Sequence, residues 1–405
     1  MEFSVSKNAL NTLCDFIVTD DTFISTSEKH NNWSVDNCST HKSLDVVSII
    51  NGRSVPTIVN ELHDKAFDCL GIASPNWPLS LGKVHFKRYI EEVKEYAEKE
   101  LKFIDKNPYY SEEFLTGRSV LFDLQDYTID RLTLKRHLET TDVRNMKLLN
   151  EFRRQEKIVY TQTASVTGRL SIKSGPNILH LKREHRDILQ SSYDDDGAVI
   201  QIDFKSLEPR ILALIKTDNV PDDLYTDISN MCENKIDRNL AKKATLAIIY
   251  GMSRNNLSNL LRTGNSDEIF DHISEYFGIR HLHDALLSSI DDETNSHIQN
   301  FYGRNIYVDK TNDHLLVNYF TQSTGVDVSL LGFRQIIDNI KKEELTIKPL
   351  FVLHDALILD VHKNSIKQLK NIIRGGIMIP GFKQNRFPLD LSLFYKRTKN
   401  DTTST

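Results

Sequence analysis

Burying an unpaired carboxylate is costly enough that a partner must be supplied. Asp355 lies in the apolar run Phe351-Val352-Leu353-His354-Asp355-Ala356-Leu357-Ile358-Leu359, and Asp203, 152 positions earlier (355 minus 203), is embedded in Val199-Ile200-Gln201-Ile202-Asp203-Phe204. Either aspartate alone can be satisfied by an ion pair or by capping a following helix. Two of them, each carried on a strand, point instead to one shared divalent metal site.

A second group of residues has the spacing of a grip. Arg238, Lys242, Leu246 and Tyr250 recur every four residues between Asp237 and Ser253, so a helix presents all four on one broad face, because four steps of about 100° drift by only about 40° per repeat. Gly251 then ends the regular pattern, since glycine lets the chain turn with φ above zero. Two cations with a tyrosine about 18 Å further along suit a nucleotide: the cations for a triphosphate, the tyrosine for base and sugar. The competing reading is a solvated basic face, with Leu246 and Tyr250 as core.

Further strings complete the set: Asp203-Phe204-Lys205-Ser206-Leu207-Glu208-Pro209-Arg210, Thr163-Ala164-Ser165-Val166-Thr167-Gly168-Arg169-Leu170-Ser171, Tyr302-Gly303-Arg304, and Asn318 with Gln322. Together with Arg-x3-Lys-x7-Tyr-Gly and the His354-Asp355 pair, their order and spacing resemble family A DNA polymerases, the DNA polymerase I family. The resemblance covers about residues 160 to 395, more than half of the chain. It implies an α+β right-hand polymerase fold with an antiparallel-sheet palm, helical fingers and a helical thumb. It also implies two-metal phosphoryl transfer from deoxynucleoside triphosphates to a primer 3′ end on a DNA template.

The roles carried over by resemblance are specific. Asp203 and Asp355, with the Phe204 backbone carbonyl, would hold two magnesium ions, which favour oxygen ligands and substrate phosphates. Arg238 and Lys242 would neutralise the triphosphate, Lys242 also polarising the leaving group. Leu246 and Tyr250 would line the nucleotide site. Glu208, held by Tyr250, would exclude a 2′ hydroxyl. Arg169, Arg304, Asn318, Gln322 and His354 would contact the primer-template DNA, and Arg210 would brace the strand carrying Asp203. Several residues depart from the family pattern. Leu246 stands where an aromatic is usual, Ala356 where a glutamate commonly follows His-Asp, His314 near an expected arginine, and Pro209 in place of an aliphatic residue.

The elements that must position these groups can be sketched from the pattern. Residues 1–85 carry no readable motif. Residues 86–160 read as a thumb-like helical region, with Phe86, Tyr89, Ile90, Val93, Tyr96 and Ala97 at three- and four-residue spacing. Residues 161–214 form the first part of the palm, 215–285 the fingers, 286–398 the second part of the palm, and 399–405 a disordered tail. Asp194-Asp195-Asp196-Gly197 reads as a solvated turn. No room or Asp-x-Glu motif for a 3′ to 5′ exonuclease precedes the thumb, as in short viral or plasmid-type polymerases. That leaves open a separate exonuclease or processivity factor as partner.

Bulk properties fit this reading. The 405 residues are 26% charged and 39% hydrophobic with a net charge of −5, as in an ordinary globular protein of two or three domains. No membrane span or signal peptide is readable, which implies a cytoplasmic or nucleoid setting. Cys14, Cys38, Cys69 and Cys232 form no Cys-x-x-Cys pair, so neither a zinc site nor a disulfide framework is indicated. The acidic average conceals a local surplus: from Arg131 to Arg186 there are thirteen Lys/Arg against five Asp/Glu, thirteen minus five being eight. Such a patch suits a DNA duplex, and equally a basic face without a ligand. Two other functions share part of this pattern. A single-subunit RNA polymerase shares the palm and the Arg/Lys/Tyr-Gly helix, but not Glu208 with Arg210 or the Thr-Gly-Arg-Leu-Ser string. A non-catalytic DNA-binding subunit would have no reason to keep both aspartates, the cation pair and the tyrosine.

Overall fold

The computed structural model describes residues 2–6, 15–19, 22–26, 32–35, 42–50, 69–71, 83–162, 164–233, 235–262, 264–290 and 296–395. The expected tail at 399–405 lies outside them, as do Thr163, Cys14 and Cys38; Cys69 and Cys232 carry free thiols. The chain divides into two compact units, Met1–Leu115 and Thr116–Thr405.

In the first unit, strands β1 (Phe3–Val5), β2 (Asp15–Val18), β3 (Phe23–Thr26) and β4 (Ser34–Val35) form a sheet in the order β3-β2-β1-β4, with β1 and β4 parallel. Helix α1 (Leu44–Ile50) follows, and α2 (Lys83–Lys106) bears out the helical periodicity read near its start. Tyr89, Ile90, Val93, Tyr96 and Ala97 are buried on one face. The opposite face carries i,i+4 ion pairs such as Lys99–Glu95 and Lys102–Glu98, which support an exposed helix modestly. The Tyr96 hydroxyl donates to Asp45 of α1 at 3.2 Å.

The second unit is built on an antiparallel sheet of β5 (Gly197–Phe204), β6 (Ile347–Leu353), β7 (Ala356–His362) and β8 (Leu389–Leu393), in the order β6-β7-β5-β8. β7 is central and buried on both faces from Ala356 to Val361, which is why its sequence reads as a continuous apolar run. Asp360 within it is buried yet accepts hydrogen bonds from Ser191 Oγ, Ser192 N and Ser192 Oγ. Helices α3 (Leu207–Lys216), α4 (Leu224–Met231), α5 (Arg238–Ile249), α6 (Arg254–Leu261), α7 (Ser266–Phe277) and α8 (Ile279–Ser288) form a layer with its own core. The long α9 (Leu316–Lys342) joins that core through Leu316, Val317 and Phe320.

Two expectations are corrected by packing. Arg304, expected at the DNA, is 1% exposed and paired with Asp327 of α9, which also accepts from Asn300 Nδ2 at 2.7 Å. A guanidinium enclosed in this way holds the 300–304 turn to α9 and offers no surface to a ligand. Arg210, expected to brace β5, instead donates to the carbonyls of Pro221 and Asp222 at 3.0 and 2.7 Å, so it fastens the approach to α4. Asp194–Asp196 form a short 3-10 turn, with Lys363 engaging Asp196.

Removing Asp327 would strand a buried guanidinium. Asp327→Ala is expected to destabilise the fold by about 3–5 kcal/mol, measured by urea denaturation, whereas a loss under 1 kcal/mol would mean that Arg304 reaches solvent.

Candidate active site

The two aspartates meet because of strand register. Asp203, near the end of β5, pairs with Ala356 of β7 on one side and with Asp390 of β8 on the other. Asp355 is not within a strand, as the sequence implied: it occupies the two-residue turn between β6 and β7, after His354 at φ 57°. A left-handed residue in a two-residue hairpin matches the twist of the flanking strands. The Asp355 carbonyl accepts from Phe204 N at 3.3 Å, which ties the turn to the end of β5.

Burial, then the charge of Asp355 and that of Asp390, pushes the Asp203 carboxyl up to about 7. Burial likewise raises Asp355, although His354, Arg169 and Lys242 draw it back. Asp203 Oδ1 is buried without a hydrogen-bond partner. Asp360, on the same sheet, has both oxygens satisfied, so the contrast separates a structural carboxylate from one that awaits a ligand. Like charges at high local potential with an orphan oxygen fit a hard divalent cation. Among the described residues no ready cluster of three or more metal-ligating side chains exists, so a bound cation would take its remaining ligands from substrate oxygens and water, as magnesium does.

The helix expected from the four-residue spacing of Arg238, Lys242, Leu246 and Tyr250 forms. Asp237 caps α5 by accepting from Leu240 N at 2.7 Å, and Tyr250 is its C-cap. Ala241, Ala244, Thr245, Ile248 and Ile249 are buried against the helical core. That burial fixes the rotation of α5, so Arg238, Lys242 and Tyr250 are exposed on the other face, with Leu246 half-buried among them. Gly251 has φ 86°, and a Cβ there would fall 2.5 Å from the His314 carbonyl oxygen, which leaves glycine as the residue that closes this helix end.

Two strings distant in sequence converge on Glu208. Tyr250 donates to its Oε2 at 2.6 Å and Arg169 to its Oε1 at 3.2 Å. Burial raises the Glu208 carboxyl while both donors oppose that. Arg169 is aimed by its neighbour: Gly168 has φ 71°, and a Cβ there would lie 1.7 Å from Arg304 Nη1. The Gly-Arg pair thus bends around a buried guanidinium and sends its own arginine to the carboxylate.

A cleft of about 510 Å3 is lined by Asp203, Asp355, Glu208, Lys242, Leu246, Tyr250, Arg169, Gln322 and His354, among others. Gln322 on α9 donates to Asn318, which is not part of that lining. His354 is lowered by burial, so its ring is neutral near pH 7 and has one N–H to donate. An adjoining cleft of about 910 Å3 shares Asp203, Phe204, Ser206, Tyr225 and Lys242 and adds Arg238, Asp223 and Asp390. Three of its residues were missed in the sequence. Asp223 caps α4 and pairs with Arg238 at 2.7 Å; Tyr225 lies under both cations, 5.7 Å from Arg238 and 5.8 Å from Lys242; Asp390 pairs with Lys205 at 3.1 Å. An aspartate before an apolar helix start is readable as a cap, but its reach to Arg238 is not.

Residues 57–396 match the family model described as DNA polymerase family A. Among relatives, the chain is 23% identical to DNA polymerase I of Aquifex aeolicus over 281 residues, 59% of this chain and 48% of that protein. It is 24% identical to the DNA polymerase of Bacillus phage SP01 over 263 residues, 53% of this chain and 28% of that protein. The chain thus spans about half or less of the length of these relatives. A solved structure titled as the POL domain of Pol1 from M. smegmatis in complex with DNA primer-template and dNTP superposes with a TM-score of 0.58 at 16% identity, covering 89% of this chain and 80% of that one. The two share a fold, the α+β polymerase fold expected from the sequence.

The Asp203 value carries a test. It lies above the ordinary 3.8, so between about pH 4 and 7 the folded chain keeps a proton that the unfolded chain has released. Stability from this group is therefore full below about pH 4 and is lost as pH rises through 7. Asp203→Asn, free of that loss, is expected to be more stable than the parent at pH 8 without divalent cations. The margin should be on the order of 1–2 kcal/mol, discounted for partial solvation. Urea melts should show the margin close at pH 4, and also close at pH 8 when excess magnesium chloride stabilises the parent alone; a parent whose stability is flat from pH 4 to 8 would refute the electrostatic account.

Proposed function

Since the chain belongs to DNA polymerase family A, we propose that it is a template-directed DNA polymerase that adds deoxynucleotides to a primer 3′ end. The observation that carries this is the joining of the two clefts. One space brings the Asp203–Asp355 pair to the open face of α5 and to Glu208, and the next shares Lys242 and continues to Arg238. A reaction that moves a phosphoryl group needs that order: carboxylates where charge is transferred, cations where the polyphosphate lies.

Asp203, Asp355 and the Phe204 carbonyl would hold two magnesium ions, and the unpartnered Asp203 Oδ1 supports that fit. When bound, the ions lower the pKa of the attacking primer hydroxyl and steady the leaving pyrophosphate. The chain's own side chains do the rest. Arg238 and Lys242 neutralise the triphosphate, and Lys242, which lines both clefts, polarises the leaving group. Leu246 and Tyr250 present an apolar and an aromatic surface to base and sugar. Glu208, fixed by two donors, closes the space beside the sugar where a 2′ hydroxyl would sit. Arg169, Gln322 and the neutral His354 line the cleft from the side where the primer end would lie, and Asn318 supports Gln322. Arg304 takes no part in DNA contact.

The expected parts follow: 86–160 thumb, 161–214 and 286–398 palm, 215–285 fingers, and primer-template DNA and deoxynucleoside triphosphates as partners in a cytoplasmic or nucleoid setting. No helix among the described residues is long and apolar enough to cross a membrane.

Extension of a labelled primer with magnesium tests this directly. Deoxynucleotide extension should fall at least a thousandfold in Asp355→Asn, on the order of 4 kcal/mol of lost transition-state stabilisation. Glu208→Ala should raise ribonucleotide use relative to deoxynucleotide use about ten- to a hundredfold. Intact DNA binding without any extension by the parent would favour the non-catalytic subunit instead.

A further inference from the structure

Arg238 is already occupied. Its Nε donates to Asp223 Oδ2 at 2.7 Å, and its guanidinium stands 5.7 Å from the Tyr225 ring. Asp223 is itself fixed, because its carboxylate caps α4, with Tyr225 N at 3.2 Å, Thr226 N at 3.3 Å and Thr226 Oγ1 at 2.9 Å. An anion anchored by a helix N-terminus cannot follow the arginine when another anion arrives. The lowered carboxyl of Asp223, held down to about 2 mainly by Arg238, keeps it charged at any working pH.

We propose that Asp223 is an internal competitor of the triphosphate for Arg238, a carboxylate standing in for a phosphate oxygen in the nucleotide-free chain and setting the affinity for the incoming nucleotide. The inference rests on the polymerase reading above. Its logic is exchange: Arg238 leaves one fixed anion for another, so nucleotide binding gains only the difference between the two contacts. Both side chains are about half exposed, so the contact is a modest one in solvent, and its effect should be correspondingly modest.

Asp222 supplies the control. It lines the same cleft one residue away, carries the same charge, and has no bond to Arg238. Asp223→Asn keeps the helix cap, since asparagine caps as well as aspartate. Steady-state primer extension is expected to show a two- to fivefold lower KM for deoxynucleotides in Asp223→Asn, with kcat within twofold of the parent, and no more than a 1.5-fold change in Asp222→Asn. In an Arg238→Ala background the Asp223→Asn change should disappear. Should the asparagine variant fold poorly, Asp223→Ser, another strong cap, replaces it.

Equal effects of Asp222→Asn and Asp223→Asn would overturn the proposal in favour of general charge. A higher KM in Asp223→Asn would overturn it in favour of a residue that orients Arg238. A parent that extends no primer overturns both this inference and the reading it rests on, while an active parent whose KM is indifferent to Asp223 overturns the inference alone.

Discussion

Two carboxylates that repel one another are held at one end of a sheet, and the rest of the second unit is arranged to keep them there. Neither can retreat. Asp203 is set by the pairing of β5 with both of its neighbours, and a register slip of one residue would send it to the other face. Asp355 is set by a two-residue turn whose carbonyl is bonded to the strand beside it. The cost is visible in the raised carboxyl of each. It persists because the sheet is over-determined by the apolar contacts of β7, which is buried on both faces. Strain of this kind is a resource only if a ligand relieves it, and a divalent cation relieves both groups at once.

A second buried charge organises the approach to that pair. The Arg304–Asp327 contact joins the 300–304 turn to the middle of α9, and Gly168 must lack a side chain because Arg304 lies against it. A string that looked like a DNA-contacting signature thus has a structural half and a functional half. Gly168 accommodates the buried arginine, and Arg169, next in the chain, reaches Glu208. The two arginines have the same chemistry and opposite surroundings, and surroundings decide which of them is open to a ligand.

What was legible in the sequence depended on range. The α5 helix and its glycine stop are encoded within about fifteen residues, and the i,i+4 spacing of Arg238, Lys242 and Leu246 survives folding unchanged because the opposite face is the one that is buried. The aspartates were legible through their apolar context. The strand-turn-strand pattern around His354 was legible, but not that Asp355 sits in the turn itself, since a two-residue turn without glycine interrupts an apolar run so little. Arg304, Arg210 and Asp223 were misread or missed for a common reason. Each acts through a partner 11 to 23 residues away, and no local pattern distinguishes a buried arginine from an exposed one. The sheet of the first unit escaped altogether, because strands of two to four residues are too short to establish a period.

Glu208 shows how these levels combine. Its two carboxylate oxygens accept from two strings, Tyr250 at the end of α5 and Arg169 after the glycine turn. Neither donor is close to Glu208 in sequence, and each is positioned by a different buried element. The result is a carboxylate with no freedom to rotate and with both oxygens already engaged. A sugar hydroxyl pressed against it would have to share an oxygen with tyrosine or arginine, or remain without a partner. Leaving a buried hydroxyl unpaired costs about 1–3 kcal/mol, comparable to what a close-fitting pocket can refuse on shape alone. If Glu208 selects sugars as proposed, discrimination at this position would come from the two donors as much as from the glutamate, because a glutamate free to turn would offer a 2′ hydroxyl an unoccupied oxygen.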